Sequence, residues 1–175
     1  CALHAGDEKP FRQYPEFPEV LYYEGFEASA HAWKNGKVEI DPVNPRNHCY
    51  KLELAQHNND KCVTAHVDLP LNIPGGINTS DVHIQVSLWA DNNVAEMWVK
   101  LKNHDYEDKP RPSKFGQWVP MPLPLTGFTK DRKSPPRDAN LRVLELTIKP
   151  KAKDKPLNAY LDDVIITAGL RGADA

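Results

Sequence analysis

Apolar and polar residues alternate along much of this chain with the two-residue period of a β-strand. In 82–89, Val82, Ile84, Val86 and Leu88 fall on one face; His83, Gln85, Ser87 and Trp89 fall on the other. In 94–101, Ala95, Met97, Val99 and Leu101 share one face, and Glu96, Trp98 and Lys100 share the opposite one. Successive side chains of a strand point to opposite sides of the sheet, so the apolar set of each strand reads as core. Val119, Met121, Leu123 and Leu125 repeat the pattern, with Trp118 on the same face as prolines 120, 122 and 124. A strand with so many prolines predicts a bulged or edge position.

Strand-like runs fall at 20–27, 37–41, 48–55, 62–71, 81–90, 94–102, 117–126, 141–149 and 158–167. Turn signals separate them: Asn44-Pro45, Asn58-Asn59-Asp60, Pro74-Gly75-Gly76, Asp91-Asn92-Asn93, Pro110 to Pro112, and Pro135-Pro136. This spacing predicts an all-β fold, a two-sheet antiparallel β-sandwich, with no helix of ten residues. Residues 1–19, punctuated by Pro10, Pro15 and Pro18, read as an extended tail or linker before a single domain over 20–170. The short Asp91-Asn92-Asn93 segment makes the strands on either side of it a candidate hairpin. Straight counting through that turn puts Trp89 and Ala95 opposite each other with unlike faces, so aligning Trp89 with Trp98 requires a bulge.

Composition narrows the function classes. The chain has 175 residues, 16 prolines and 9 glycines, which suits one loop-rich domain. A net charge of -2 and a pI near 6.4 give no general pull toward nucleic acid or anionic membranes. No stretch approaches the roughly 18 apolar residues of a membrane span. The absence of an initiator Met and of a signal peptide leads us to expect a processed form or an excised domain. Three cysteines are present, with no Cys-x-x-Cys. Cys49 and Cys62 are either a disulfide of a secreted protein or two separate thiols, and Cys1 either a lipid-modified N-terminus of a bacterial surface protein or an accident of where the chain begins.

Candidate chemistry sits in two places. Trp89 and Trp98 lie on polar faces beside His83, Gln85, Glu96 and Lys100. Indole rings next to planar polar groups suit a sugar, whose C–H face packs on the ring while its hydroxyls bond at the edge. The alternative is that loops, the proline-rich strand or the N-terminal tail cover these rings. The second place is the run Asn158–Thr167, where Asp162 and Asp163 interrupt an apolar strand. A carboxylate in such a row must be paired, hydrogen-bonded or metal-bound, so a loop cap and a calcium ligand are both open readings. Signals for catalysis are missing: there is no paired-carboxylate strand motif, nucleophile elbow, phosphate-binding glycine loop or His-Glu-x-x-His. His4, His31, His48, His57, His66, His83 and His104 show no metal-ligand spacing.

The closing Tyr160-Leu161-Asp162-Asp163-Val164 strand resembles the last strand of β-jelly-roll carbohydrate-binding modules of the galactose-binding-like type. Gly25-Phe26-Glu27 with Trp33 nearby, Tyr50-Lys51-Leu52-Glu53-Leu54, and Gly116-Gln117-Trp118-Val119 extend the resemblance over most of 20–168. It implies a jelly roll whose first strand lies beside its last. It also implies a structural calcium ion held by Glu27 or Glu24 with Asp162 or Asp163, and packing roles for Trp33 and Trp118. The function expected is a non-catalytic module binding a polysaccharide or oligosaccharide, part of a larger secreted or surface carbohydrate-active protein that also carries a catalytic domain. A structural or protein-interaction β-sandwich in a multidomain assembly is the alternative.

Overall fold

The computed structural model describes residues 19–28, 31–57, 59–72, 81–102, 105–133, 135 and 140–169. The strands are β1 (Glu19–Glu24), β2 (Trp33–Lys34), β3 (Gly36–Ile40), β4 (His48–His57), β5 (Asp60–Asn72), β6 (Val82–Ala90), β7 (Val94–Leu101), β8 (Tyr106–Asp108), β9 (Val119–Pro124), β10 (Asn140–Pro150) and β11 (Ala159–Ala168). Every ladder is antiparallel. Leu125–Gly127 forms a short 3-10 turn. None of these is a helix long and apolar enough to cross a membrane.

Two sheets form, and β4 belongs to both. Its first half pairs with β3, and Tyr50 and Lys51 also pair with β11. Its second half, from Glu53, pairs with β5. The first sheet runs β3–β4–β11–β6–β9, with β1 continuing along the β4 side of β11. The second runs β4–β5–β10–β7–β8, with β2 continuing along β5. The first strand thus lies beside the last, as the resemblance implied, and the two-sheet jelly roll expected from the alternation is the fold. The predicted runs match nine of these elements; β2 and β8, two and three residues long, are additional.

The alternation builds the core. Val82, Ile84, Val86 and Leu88 are buried, as are Val119, Met121, Leu123 and Leu125. Among the described residues β9 pairs with β6 alone. A strand with proline at every second position lacks alternate N–H donors and is satisfied at an edge. An aromatic cluster closes one end: Phe26 stacks on Tyr50 at 5.0 Å, and buried Trp33 donates from Nε1 to Tyr22 Oη at 3.0 Å. Gly36 is required beside it, because a Cβ there would come within 2.5 Å of Tyr50 Cε1 and clash with the Lys51 carbonyl.

One expectation of face is corrected, and a bulge sets the faces of the closing strand. Ala95 is exposed while Val94 is buried, because the register shifts between Lys149 and Pro150 opposite this segment of β7. On β11, a bulge between Asp162 and Ile165, with Asp163 at φ 45°, switches the parity. Leu161 and Val164 therefore both face the core.

The expected hairpin does not form. β6 pairs with β11 and β9, and β7 with β10 and β8, so Asp91–Asn93 crosses between the sheets. Asn93 holds the crossover: its Nδ2 donates to the carbonyls of Ala152, Lys155 and Pro156, and its Oδ1 accepts from Ala152 N at 2.8 Å. Asp91 Oδ2 accepts from Asn158 N at 2.7 Å. The two side chains thus tie the β6–β7 crossover to the β10–β11 crossover instead of shaping a turn.

Cys49 and Cys62 are buried and not joined to each other. In the β4–β5 register Cys62 faces Ala55, several residues from Cys49. Cys1 and most of the predicted tail lie outside the described residues.

Candidate functional site

The outer face of the first sheet carries one continuous row across four strands. Lys37 pairs with Lys51, Lys51 with Tyr160, and Tyr160 with Trp89. Neighbouring strands lie about 4.8 Å apart, so this row spans roughly 15 Å. Trp89 meets Tyr160 edge-on at 5.5 Å, and Lys51 Nζ sits 5.8 Å from the Tyr160 ring centre. Both rings are half-buried and belong to neither the core nor its packing shell. Glu39, one row along, meets Lys37 at 2.9 Å and Lys51 at 3.8 Å. Burial chiefly, with the Glu39 charge, raises the Tyr160 phenol pKa, so its hydroxyl stays protonated and able to donate. Trp89 Nε1 is shielded from solvent and has no hydrogen-bond partner among the described residues.

A polar network flanks the row. Asn47 Nδ2 donates to Asp162 Oδ2 at 2.7 Å and to Asp41 Oδ2 at 3.0 Å. Asp41 Oδ1 also accepts from Trp118 Nε1 at 2.9 Å and from Val43 N at 2.7 Å. The β3–β4 loop from one edge and Trp118 from the other therefore meet over this face. The two carboxylates sharing the amide differ in charge. Burial raises the pKa of Asp41, but hydrogen bonds from Trp118, Asn47, Val43 and Asn44 overcome it and leave the group below the usual carboxylate value. Asp162 is pushed up to about 8, first by burial and then by the neighbouring Asp163 charge, against the opposing bonds from Asn47 and the Asp163 amide.

The six residues predicted to bind a ligand divide between two surfaces. His83, Gln85 and Trp89 lie on β6, on the outer face just described. Gln85 is only 1% exposed, so it lies beneath that surface. Glu96, Trp98 and Lys100 lie on β7, on the outer face of the second sheet. The Trp98 ring meets the His57 ring at 5.3 Å, and Lys100 is 3.7 Å from Glu107. Trp89 and Trp98 thus belong to opposite sheets and do not make one face. The expectation of a shared face failed with the hairpin that carried it. Sequence reasoning passed over Tyr160, Lys51 and Lys37 because only strand pairing brings β3, β4 and β11 into one row with Trp89. The signal for Tyr160 was present, since it precedes the two acids of the closing strand. Trp33 packs in the core as expected.

The predicted metal ligands have protein partners. Glu24 Oε1 accepts from Phe26 N at 2.7 Å, Glu27 Oε1 from His48 N at 3.0 Å, and Asp163 Oδ1 from Tyr23 Oη at 2.8 Å. Asp162 Oδ1 accepts from Asp163 N at 2.8 Å, and its other oxygen is held by Asn47. Among the described residues, no group of three or more acids, histidines or cysteines is placed to hold a metal ion.

No family model matches the chain, and no curated protein sequence matches it. Solved structures share its fold. One comprises domains CD, residues 230–489, of a larger protein; it matches at TM-score 0.54 and 13% identity, over 83% of this chain and 65% of that one. A second, solved with a xylogluco-oligosaccharide, matches at TM-score 0.53 and 14% identity, over 85% of this chain and 38% of that one. A third, a CBM22 xylan-binding domain from Paenibacillus barcinonensis, gives TM-score 0.49 and 12% identity, over 86% of this chain and 94% of that one. The chain therefore spans less than two thirds of the length of the first two structures. The likeness at these identities is one of fold: a two-sheet β-jelly-roll.

Proposed function

We propose that this chain is a non-catalytic carbohydrate-binding module that holds a polysaccharide on the outer face of its first sheet. The observation that carries the reading is the row Lys37–Lys51–Tyr160–Trp89, in which two half-exposed aromatic rings are flanked by hydrogen-bonding side chains. Rings of this kind pack on the C–H faces of sugars, and Lys37, Lys51 and Glu39 reach hydroxyls at the edge. The fold it shares with a structure solved with a xylogluco-oligosaccharide supports the same reading. A polysaccharide ligand also suits a secreted or surface protein in which a catalytic domain works beside this one. Affinity electrophoresis on xyloglucan, xylan and mixed-linkage glucan tests the reading: the chain is retained on at least one of them, with little effect of salt.

A second reading, a protein-interaction β-sandwich, is favoured by Ile40 and Val43, which are 60% and 61% exposed at the end of β3 and in the loop after it. Retention of the chain by a neighbouring domain of its parent protein, lost on Ile40→Ser, supports that reading.

We further propose a cation, calcium by the oxygen chemistry of the acids, as counter-charge to Asp162 and Asp163. Support comes from the two adjacent carboxyls, since burial and the Asp163 charge push Asp162 up to about 8 and a bound cation offsets both effects. Binding requires the side chains to exchange protein donors for the ion.

A further inference from the structure

We propose that the sandwich edge carries a second ligand site, a pocket for a single neutral sugar ring. The pocket measures about 370 Å³ and is lined by Phe26, Glu27, Ala28, His31, Val38 and His48. That volume is several times the roughly 30 Å³ share of one water molecule. Phe26, Ala28 and Val38 supply apolar surface to the lining, and Glu27, His31 and His48 supply polar groups. Such a mixed lining matches a ring with C–H faces and a hydroxyl rim.

The polar groups are held in place. Glu27 Oε1 accepts from His48 N at 3.0 Å, and its Oε2 lies 3.3 Å from His48 Nδ1. Each carboxylate oxygen keeps a lone pair for a further donor. The His31 ring is fixed edge-on against Tyr50 at 5.3 Å and Phe26 at 6.1 Å. Its Nδ1 is shielded from solvent and has no hydrogen-bond partner among the described residues. The Glu27 carboxylate in the wall disfavours an anionic ligand.

The pocket is separate from the outer face. Val38 pairs with core-facing Tyr50, whereas Lys37 and Glu39 point to the opposite side of β3. This inference rests on the carbohydrate reading for the class of ligand only.

The test is a titration of the ¹⁵N-labelled full chain with D-glucose, D-xylose and cellotetraose, following amide and imidazole signals. The expected result is saturable shifts at Glu27, His31 and His48 with a Kd of about 1 mM or tighter. His48→Ala and Glu27→Gln abolish them while leaving the Tyr160 response intact. Both side chains are half-exposed, at 50% and 37%, so the variants are expected to fold. If a variant does unfold, contacts between sugar protons and the Val38 methyls of the unaltered chain provide the same evidence. Pocket signals unmoved by all three sugars, or equally moved in His48→Ala, overturn the inference. Shifts at Tyr160 and Trp89 alone refute the pocket and uphold the outer face; shifts in the pocket alone do the reverse.

Discussion

Asn47 holds Asp162 through its side-chain amide, donating to Oδ2 at 2.7 Å, while the same nitrogen reaches Asp41 at 3.0 Å. One amide thus joins the β3–β4 loop to the closing strand. Asn47→Ala leaves a buried carboxyl without this donor. The expected cost is about 1–3 kcal/mol, read as a lower urea midpoint with an unchanged m-value.

The raised pKa of Asp162 sets a pH dependence. Its folded value of about 8 lies above the ordinary 3.8, so between these the folded state binds the extra proton. The contribution to stability is complete below the unfolded value and is lost as pH rises through about 8. Unfolding free energies from urea titrations should therefore fall between pH 5 and pH 8, by on the order of a few kcal/mol in total. Asp162→Asn should flatten that slope. An equally steep slope in the variant would assign the effect to other groups.

The proposed calcium ion bears on the same pair. If the cation balances Asp162 and Asp163, millimolar calcium raises the melting temperature and a chelator lowers it, because a ligand of the native state stabilises by mass action. Asp162→Asn removes the difference. Identical melting in calcium and chelator excludes the ion.

Gly36 tests the packing beneath the aromatic cluster. A methyl group there meets Tyr50 and the Lys51 carbonyl. Overpacking of this kind costs about 1–3 kcal/mol, so Gly36→Ala should melt several degrees lower than the unaltered chain.

The sequence exposed the fold where one strand kept one period. The runs at 82–88 and 119–125 went to the core without exception because no bulge interrupts them. At Ala95 and Asp163 an extra residue breaks the period, and alternation alone does not reveal a bulge. The site was less legible than the fold. Trp89 was visible as an aromatic on a polar face, but its neighbour Tyr160 comes from a strand about 70 residues later in the chain and is brought there by pairing. Trp98 carried the same local signal and went to the other sheet, because Asn93 binds carbonyls of the facing crossover instead of closing a hairpin.

The outer-face claim is tested most directly by retention of three variants on the polysaccharide that retards the unaltered chain. Tyr160→Ala and Trp89→Ala should each weaken retention at least about tenfold, a loss near 1.4 kcal/mol, with folding checked by melting. Trp98→Ala, on the opposite sheet, should be retained like the unaltered chain. Loss of retention in Trp98→Ala with full retention in Tyr160→Ala would contradict the account.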